Sequence, residues 1–552
     1  MDNTTYMGIE IAMRGLYSSQ RAMVNIAHNI DNTNTPGYSR QVINQTAARP
    51  LLVASGAGML GMGSDVVSVD RVRDTFLDEK YWSEVQYLGE WRVKATIIED
   101  MQTIYNEPSD YGYTKIISDF YSALQSLTTD PSSLAVRAMV KEKGISVANY
   151  FNSVASHFDY LQEDLNNMVN AKVEEINNLA DQIKELNLQI QQFEVMGNKA
   201  NDLRDYRGYL VDKLSQLVNC NAYEVETGLK LPNGEKETRF VITISGKALV
   251  DHDKVVHLKC ESRDTKLNEE DIENLYEVSW EDGNKLNLKS GELKAYIDMR
   301  DGNDGLIGSN GESTPNCKGI PYYQRKMNEF VRVFAMAFNE GIIDIDGDGV
   351  LDDTEGHVDG FTLSGNTGIR FFTMMDEYGN PVSSADFEAR ALEYAAKLGI
   401  TDDPATSWDE RLVAGYQSIT ARNFSISFDI AADPSENIAA SSKTGEAGNN
   451  EIITKLLEMR HNTYMFMEGA PEDFIKTVIS SMGVDGQQYN QYLDVQEGIV
   501  MQINNRRQSI SGVSLNEEMT ELIKQQQIYG ASATIINAFS ELLDILVNRL
   551  GI

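Results

Sequence analysis

SLNEEMTELIKQQQIYGASATIINAFSELLDILVNRL, residues 514–550, is the stretch whose reading decides the fold. Every seventh residue is large and apolar: Leu515, Leu522, Tyr529, Ile536, Leu543 and Leu550. Met519, Ala533 and Val547 fill the other half of a heptad seam, with Gln526 and Ser540 as polar gaps. A seven-residue apolar period sustained this long predicts a helix that packs lengthwise on another helix. Toward its end Ile535, Phe539, Leu542, Ile545 and Leu546 widen the apolar surface beyond what one helix satisfies in water.

The opposite end of the chain repeats the period. Ile9, Leu16, Met23 and Ile30 are seven apart, with Ala12, Ser19 and Ile26 between them. These intervening residues are small or modest, so a neighbouring backbone can approach closely. The helix is expected to stop near Asn32, because Thr33-Asn34-Thr35-Pro36-Gly37-Tyr38 is rich in turn formers and Pro-Gly suits a type II turn. Either helix alone reads as an ordinary amphipathic core helix. Two of them at opposite ends of one chain predict a terminal coiled coil.

The residues Ile26-Ala27-His28-Asn29-Ile30-Asp31-Asn32-Thr33-Asn34-Thr35-Pro36-Gly37-Tyr38 resemble the N-terminal signature of the bacterial flagellar rod, hook and hook-associated family. The continuation Ser39-Arg40-Gln41, with Gln508-Ser509-Ile510-Ser511-Gly512-Val513-Ser514-Leu515-Asn516-Glu517-Glu518, is similar to its hook-associated members. His28 and Asp31 depart from the usual Asn and Ala or Ser. The resemblance implies a structural, non-enzymatic protein of the extracellular flagellum that joins hook to filament. It also implies export unfolded through the type III channel without a cleaved signal. Implied partners are a homo-oligomeric ring of copies, the hook protein, hook-associated protein 3, and a cytoplasmic export chaperone on the C-terminal helix. The expected assembly interface is Ile9, Leu16, Met23, Ile30, Leu515, Leu522, Tyr529, Ile536, Leu543 and Leu550.

Composition sets independent bounds. A chain of 552 residues with 41% hydrophobic content has room for several domains and a sizeable core. Its net charge of -35 repels phosphate backbones and anionic membranes, which argues against nucleic-acid binding. No apolar run is long enough to span a bilayer, and MDNTTYMGIEIAMRG lacks the basic and apolar regions of a secretory signal. Cys220, Cys260 and Cys317 are widely spaced and odd in number, suggesting neither a disulfide framework nor a zinc site.

Along the chain, helices are expected over 75–105, 114–127, 144–196 and 201–218, with Asp130-Pro131 as the cap and first turn of the third. Its heptad phase slips near Ala171 to Val173, so a bend or unwinding is expected there. Alternating runs and turns over 221–300 predict antiparallel β structure. A polar loop over 302–316 precedes a helix from Pro321 to about Asn339, anchored by Phe330, Phe334 and Phe338. A mixed segment to about 435 includes a helix near 385–398 and a strand at 424–428. A polar linker is expected over 433–450, then helices over 451–467 and 471–508. The fold class is therefore multidomain α + β. The predicted division is a terminal coiled coil (1–40, 512–552), a helical rod domain (41–220, 440–511), a β-rich domain (221–300) and a mixed α/β outer segment (301–439).

One constellation carries chemistry. Asp344, Asp346 and Asp348 stand at positions 1, 3 and 5 of an EF-hand-type calcium loop, with Gly349 at 6. The Val350 carbonyl falls at 7, Leu351 points inward at 8, Asp352 reaches through water at 9, and Glu355 is the bidentate ligand at 12. No outgoing helix follows, so a solitary structural Ca2+ loop is expected, against the plainer reading of an acidic turn. Gly56-Ala57-Gly58-Met59-Leu60-Gly61 matches G-x-G-x-x-G, but a strand-like run follows instead of a helix, which favours a turn. His252 and His257 fit a loop better than a metal site. The alternatives are a hook or distal-rod protein of the same family, or a surface enzyme or glycan-binding module in the middle domains.

Overall fold

The computed structural model describes residues 4–52, 58–105, 109, 112–231, 236–344, 351–400, 408–545 and 547. Helix α1 (Thr4–Asp31) leads through the Pro36-Gly37 turn into the hairpin strands β1 (Gln41–Ala47), β2 (Leu51–Leu52), β3 (Met59–Leu60) and β4 (Ser64–Arg71). β1 pairs with β4 and β2 with β3, both antiparallel. The turn is of the expected kind: Tyr38 N donates to Thr35 O, and Gly37 has φ of 80°. A Cβ at Gly37 would lie 2.7 Å from Tyr209 Cβ, so glycine serves here for both dihedral and clearance. The described part of the Gly-rich stretch runs into β3 and β4, with no helix to receive a phosphate.

Four helices follow: α2 (Thr75–Tyr105), α3 (Tyr113–Thr129), α4 (Leu134–Val195) and α5 (Asn201–Leu217). The Asp74 carboxylate accepts from Phe76 N at the head of α2. α4 begins later than Asp130-Pro131 suggests, because those residues close a separate turn in which Ser133 N donates to Asp130 O. It is an unbroken helix of 62 residues, so it does not unwind near Ala171. The phase slip has another cause. Residues up to Leu165 pack into one core, and those from Val169 onward pack into a second.

The second core lies between the far half of α4, α5 and an antiparallel sheet ordered β5 (Cys220–Lys230), β6 (Lys236–Ile244), β7 (Lys247–Asp251), β8 (Lys254–Val255). Strands β9 (Leu258–Ser262) and β10 (Tyr276–Trp280) pair beside it. After α6 (Glu292–Asp301), α7 (Ile320–Glu340) carries Phe330, Phe334 and Phe338 into the first core, all at most 2% exposed. The rest of the excursion comprises β11 (Ile342–Ile343), β12 (Asp352–Asp353), β13 (Phe372–Met374), α8 (Ser384–Lys397), α9 (Trp408–Gly415), β14 (Phe424–Ile426), α10 (Phe428–Ala432) and α11 (Pro434–Asn437). β13 and β14 pack against α4 and α7, so the first core crosses the borders expected at 301 and 439. Residues 438–441 are buried rather than forming a free linker: Ala439 N donates to His357 Nε2, and Phe361 pairs with Ser441.

The chain returns through α12 (Glu451–Glu458), which gives way to a short 3-10 turn at Met459–His461, earlier than the apolar pattern suggests. α13 (Pro471–Ser511) runs along α2, and α14 (Leu515–Asp544) packs on α1. Both ends of the chain meet in this terminal pair. Among the described residues, no helix is long and apolar enough to cross a membrane.

Candidate assembly interface

The terminal pair is held by a different phase from the one expected. A Cβ at Gly8 would lie 2.3 Å from the Phe539 ring, and one at Gly15 would lie 3.1 Å from Ser532 Oγ. Asn29 Nδ2 donates to Glu518 Oε2 at 3.1 Å. The partners pair rising with falling numbers, so the helices run antiparallel, and Gly8, Gly15, Ala22 and Asn29 form a heptad of their own. Opposite stand Phe539, Ser532, Gln525 and Glu518, also seven apart; Ala22 and Gln525 line one groove of about 260 Å³. Ala12, Ser19, Ala22 and Ile26 are buried on α1, whereas only Glu518 and Ser532 are fully buried among the described side chains of α14.

The seam is therefore mostly small and polar, and its one large member, Phe539, fits because Gly8 opposite it has no side chain. The large apolar heptads flank it. Ile9, Leu16, Met23 and Ile30 are half-buried, as are Leu522, Ile536 and Leu543. Leu515 is 49% exposed and Tyr529 37%; Leu550 lies outside the described residues. A further heptad of α14, Ile528, Ile535 and Leu542, is open to solvent, as are Tyr17 and Val24 of α1. The glycines opposite Ser532 and Phe539 were missed in sequence, although the small residues at Ala12 and Ser19 pointed to a close approach.

The base of the pair is locked by the signature residues themselves. Asn29 is 1% exposed; its Nδ2 donates to Gln41 O, and its Oδ1 accepts from Gln41 N and from Tyr38 OH at 2.8 Å. Burial, reinforced by the nearby carboxylates of Asp202, Asp205 and Glu518, raises the Tyr38 phenol well above its ordinary value, so it stays a donor. Arg40 reaches Glu517 at 3.0 Å and Glu518 at 3.4 Å, and its N donates to Ser511 O. His28 and Asp31 both lie outward, with His28 Nε2 3.3 Å from Asp202 Oδ1.

The calcium-loop candidates are only partly described; Asp346, Asp348 and Val350 lie outside the described residues. The flanks are brought together by the β11–β12 pairing, in which Ile343 faces Asp352. Asp344 O accepts from Asn462 Nδ2, and Glu355 Oε2 accepts from Lys455 Nζ at 2.7 Å. Leu351 does not point inward: it is 47% exposed. A groove of about 900 Å³ beside this hairpin is lined by Asp353, Glu355, Asp359, Lys455, Glu458 and His461, its lysine committed to Glu355. His252 and His257 sit apart, hydrogen-bonded to Gln191 and Asp181 respectively.

Comparison with known proteins places these features in context. A family model described as "Flagellar hook-associated protein FlgK helical domain" matches residues 98–372, and one described as "Flagellar basal body rod FlgEFG protein C-terminal" matches 506–550. Flagellar hook-associated protein 1 of Bacillus subtilis (strain 168) is 28% identical over 567 residues, covering 100% of this chain and 99% of its own length. The protein of that name from Escherichia coli (strain K12) is 25% identical over 589 residues, covering 98% and 99%. The flagellar hook junction protein FlgK from Burkholderia pseudomallei shares the fold, with a TM-score of 0.54 and 11% identity over 78% of this chain and 100% of that one.

Proposed function

This chain belongs to the flagellar hook-associated protein 1 family, a structural component of the flagellum at the junction between hook and filament, and from that premise we propose that it assembles through its terminal helix pair. One observation carries this reading: the pair leaves the Ile528, Ile535 and Leu542 heptad of α14 open to solvent and its other large apolar heptads only half-covered. Covering a half-exposed Leu or Ile contributes about 1 kcal/mol at roughly 25 cal/mol per Å². Repeated along both helices, that drives copies together, and a closed ring is the arrangement that covers every pair equally. The hook protein on one side and hook-associated protein 3 on the other are the neighbours such a junction meets. Before export through the flagellar type III channel, the same uncovered face of α14 suits a cytoplasmic chaperone. The role is non-enzymatic.

Removing 515–552 tests the reading. The shortened chain is expected to remain a folded monomer with the thermal transition of the two central cores, while sedimentation shows no association with further copies. Unfolding of the whole chain would instead make α14 part of the central core.

We also propose a structural Ca2+ in the 344–355 loop, held by Asp344, Asp346, Asp348, the Val350 carbonyl, Asp352 and Glu355. The spacing of oxygen ligands supports it, and so does the hairpin that draws the two ends of the loop together.

A further inference from the structure

Between α4 and α7, a cavity of about 80 Å³ is lined by buried polar atoms that no protein group answers. Gln324, Asn328 and Arg332 stand four residues apart along α7 and share the face that lines it. Asn328 is engaged, its Oδ1 accepting from Ala421 N at 2.8 Å. The other two are only half used. Gln324, 6% exposed, donates from Nε2 to Asp159 Oδ1 at 2.9 Å, and its Oε1 is buried with no partner among the described residues. Arg332 donates from Nε to Ile419 O at 2.8 Å, and its Nη2 is likewise buried and unpaired among them. About 12 Å of helix separates the two backbones. One end of the cavity therefore offers an acceptor and the other a donor, and each is costly to leave unanswered.

The surrounding charges follow the same polarity. Burial raises the Asp159 carboxyl above its ordinary range, although Arg422 and the Gln324 amide both donate to it. The Gln324 end thus favours a further positive group. Arg332 supplies the opposite sign at the far end. Glu270, in the field of Arg332 and Arg325, is raised by burial with Glu269 alongside. It takes up a proton more readily than an ordinary glutamate and opposes an incoming anion less. The exposed Glu269 and Arg422 stand at the opening. Ala155, Phe158 and Met327, at most 7% exposed, form an apolar wall. The space suits about six water-sized groups.

We propose that this cavity binds a small neutral α-amino acid, of the size of glycine or alanine. Its ammonium meets Gln324 Oε1 and Asp159, its carboxylate meets Arg332 Nη2, and its short side chain rests against Phe158 and Met327. A zwitterion answers both unpaired atoms with the charge each end favours. Water brings charge to neither end, and a simple cation or anion serves only one. Binding joins α4 and α7 to the turn before β14, across the first core.

Isothermal titration calorimetry of the full-length protein with L-alanine and glycine, at tens of millimolar, tests the proposal. One saturable site per chain is expected. Ethylamine and propionate, which each carry one end, should bind on the order of tenfold more weakly or worse. L-Leucine and L-phenylalanine, too large for the cavity, should not bind. Gln324→Leu and Arg332→Lys should each weaken alanine on the order of tenfold, with near-UV circular dichroism reporting that the fold is kept. Should either variant fail to fold, saturation-transfer NMR on the parent decides. Irradiating the aromatic protons should then pass saturation to the alanine methyl, and its absence counts against the site. No heat of binding for either amino acid leaves the cavity to water and overturns the proposal. So does ethylamine or propionate matching alanine, or unchanged affinity in both variants.

Discussion

The aromatic interior around α7 and the α1–α14 pair are built from the same residue types to opposite effect. In the interior, Phe120 meets Phe338 and Phe372 with ring centroids 5.7 Å apart, Phe330 stacks on Phe334 at 5.4 Å, and none of the five exceeds 2% exposure. In the terminal pair, helices of 28 and 30 residues bury serines, alanines and a glutamate while Ile528, Ile535 and Leu542 face outward. One region satisfies itself. The other leaves an apolar face open. An apolar heptad thus tells that a helix will be covered, not by what.

Phe334→Ala strikes the self-sufficient region and has the largest expected effect. Phe334 is 1% exposed and packs on Phe330, Phe338 and Phe372. Its removal costs the transfer term plus a cavity, about 3–5 kcal/mol. Denaturant unfolding followed by near-UV circular dichroism should show the main transition move by that amount. A loss under about 1 kcal/mol would mean that the interior is no better packed than the ends.

Ile535→Asp with Leu542→Asp strikes the other region. These side chains are 47% and 53% exposed, so the monomer should change by less than about 0.5 kcal/mol. Association should weaken by about 2–3 kcal/mol per subunit contact, because two apolar contacts are lost and two carboxylates are desolvated. Equilibrium sedimentation measures the first-order consequence, a dissociation constant raised by roughly 30- to 150-fold. If the monomer melts instead, the contrast between the two regions collapses.

How much of this was legible in sequence follows from how local each signal is. The helix end at Asp31 and the turn at Thr35–Tyr38 were readable because turn chemistry acts within a few residues. The heptads were readable for the same reason, but their facing was not. Contact between α1 and α14 is set where Gly8 and Gly15 let backbones approach, and the facing positions Glu518 and Gln525 are polar, so hydrophobic periodicity passes over them. The phase slip in α4 was visible, yet its cause lay in two cores that only the assembled fold reveals. The ion pair between Arg71 and Asp205 was invisible, since they are 134 residues apart and no periodicity links them.

Calcium gives the smallest expected effect, and it tests whether the comparison has a third term: a segment completed neither by its own core nor by other copies, but by an ion. Among the described residues, the loop's flanks pair through Ile342–Ile343 and Asp352–Asp353, a short hairpin. Six carboxylates along 344–355 repel one another unless a cation gathers them. A ligand at tenfold its dissociation constant stabilises the state that binds it by about 1.4 kcal/mol. Adding calcium to chelated protein should therefore raise the transition of the first core by a few degrees at most, and Asp346→Asn with Asp348→Asn should abolish that rise. Magnesium, which demands a tighter octahedral shell, should not replace it. An equal shift in the double variant would assign the effect to general screening of an acidic surface, and the loop would join the self-sufficient part of the chain.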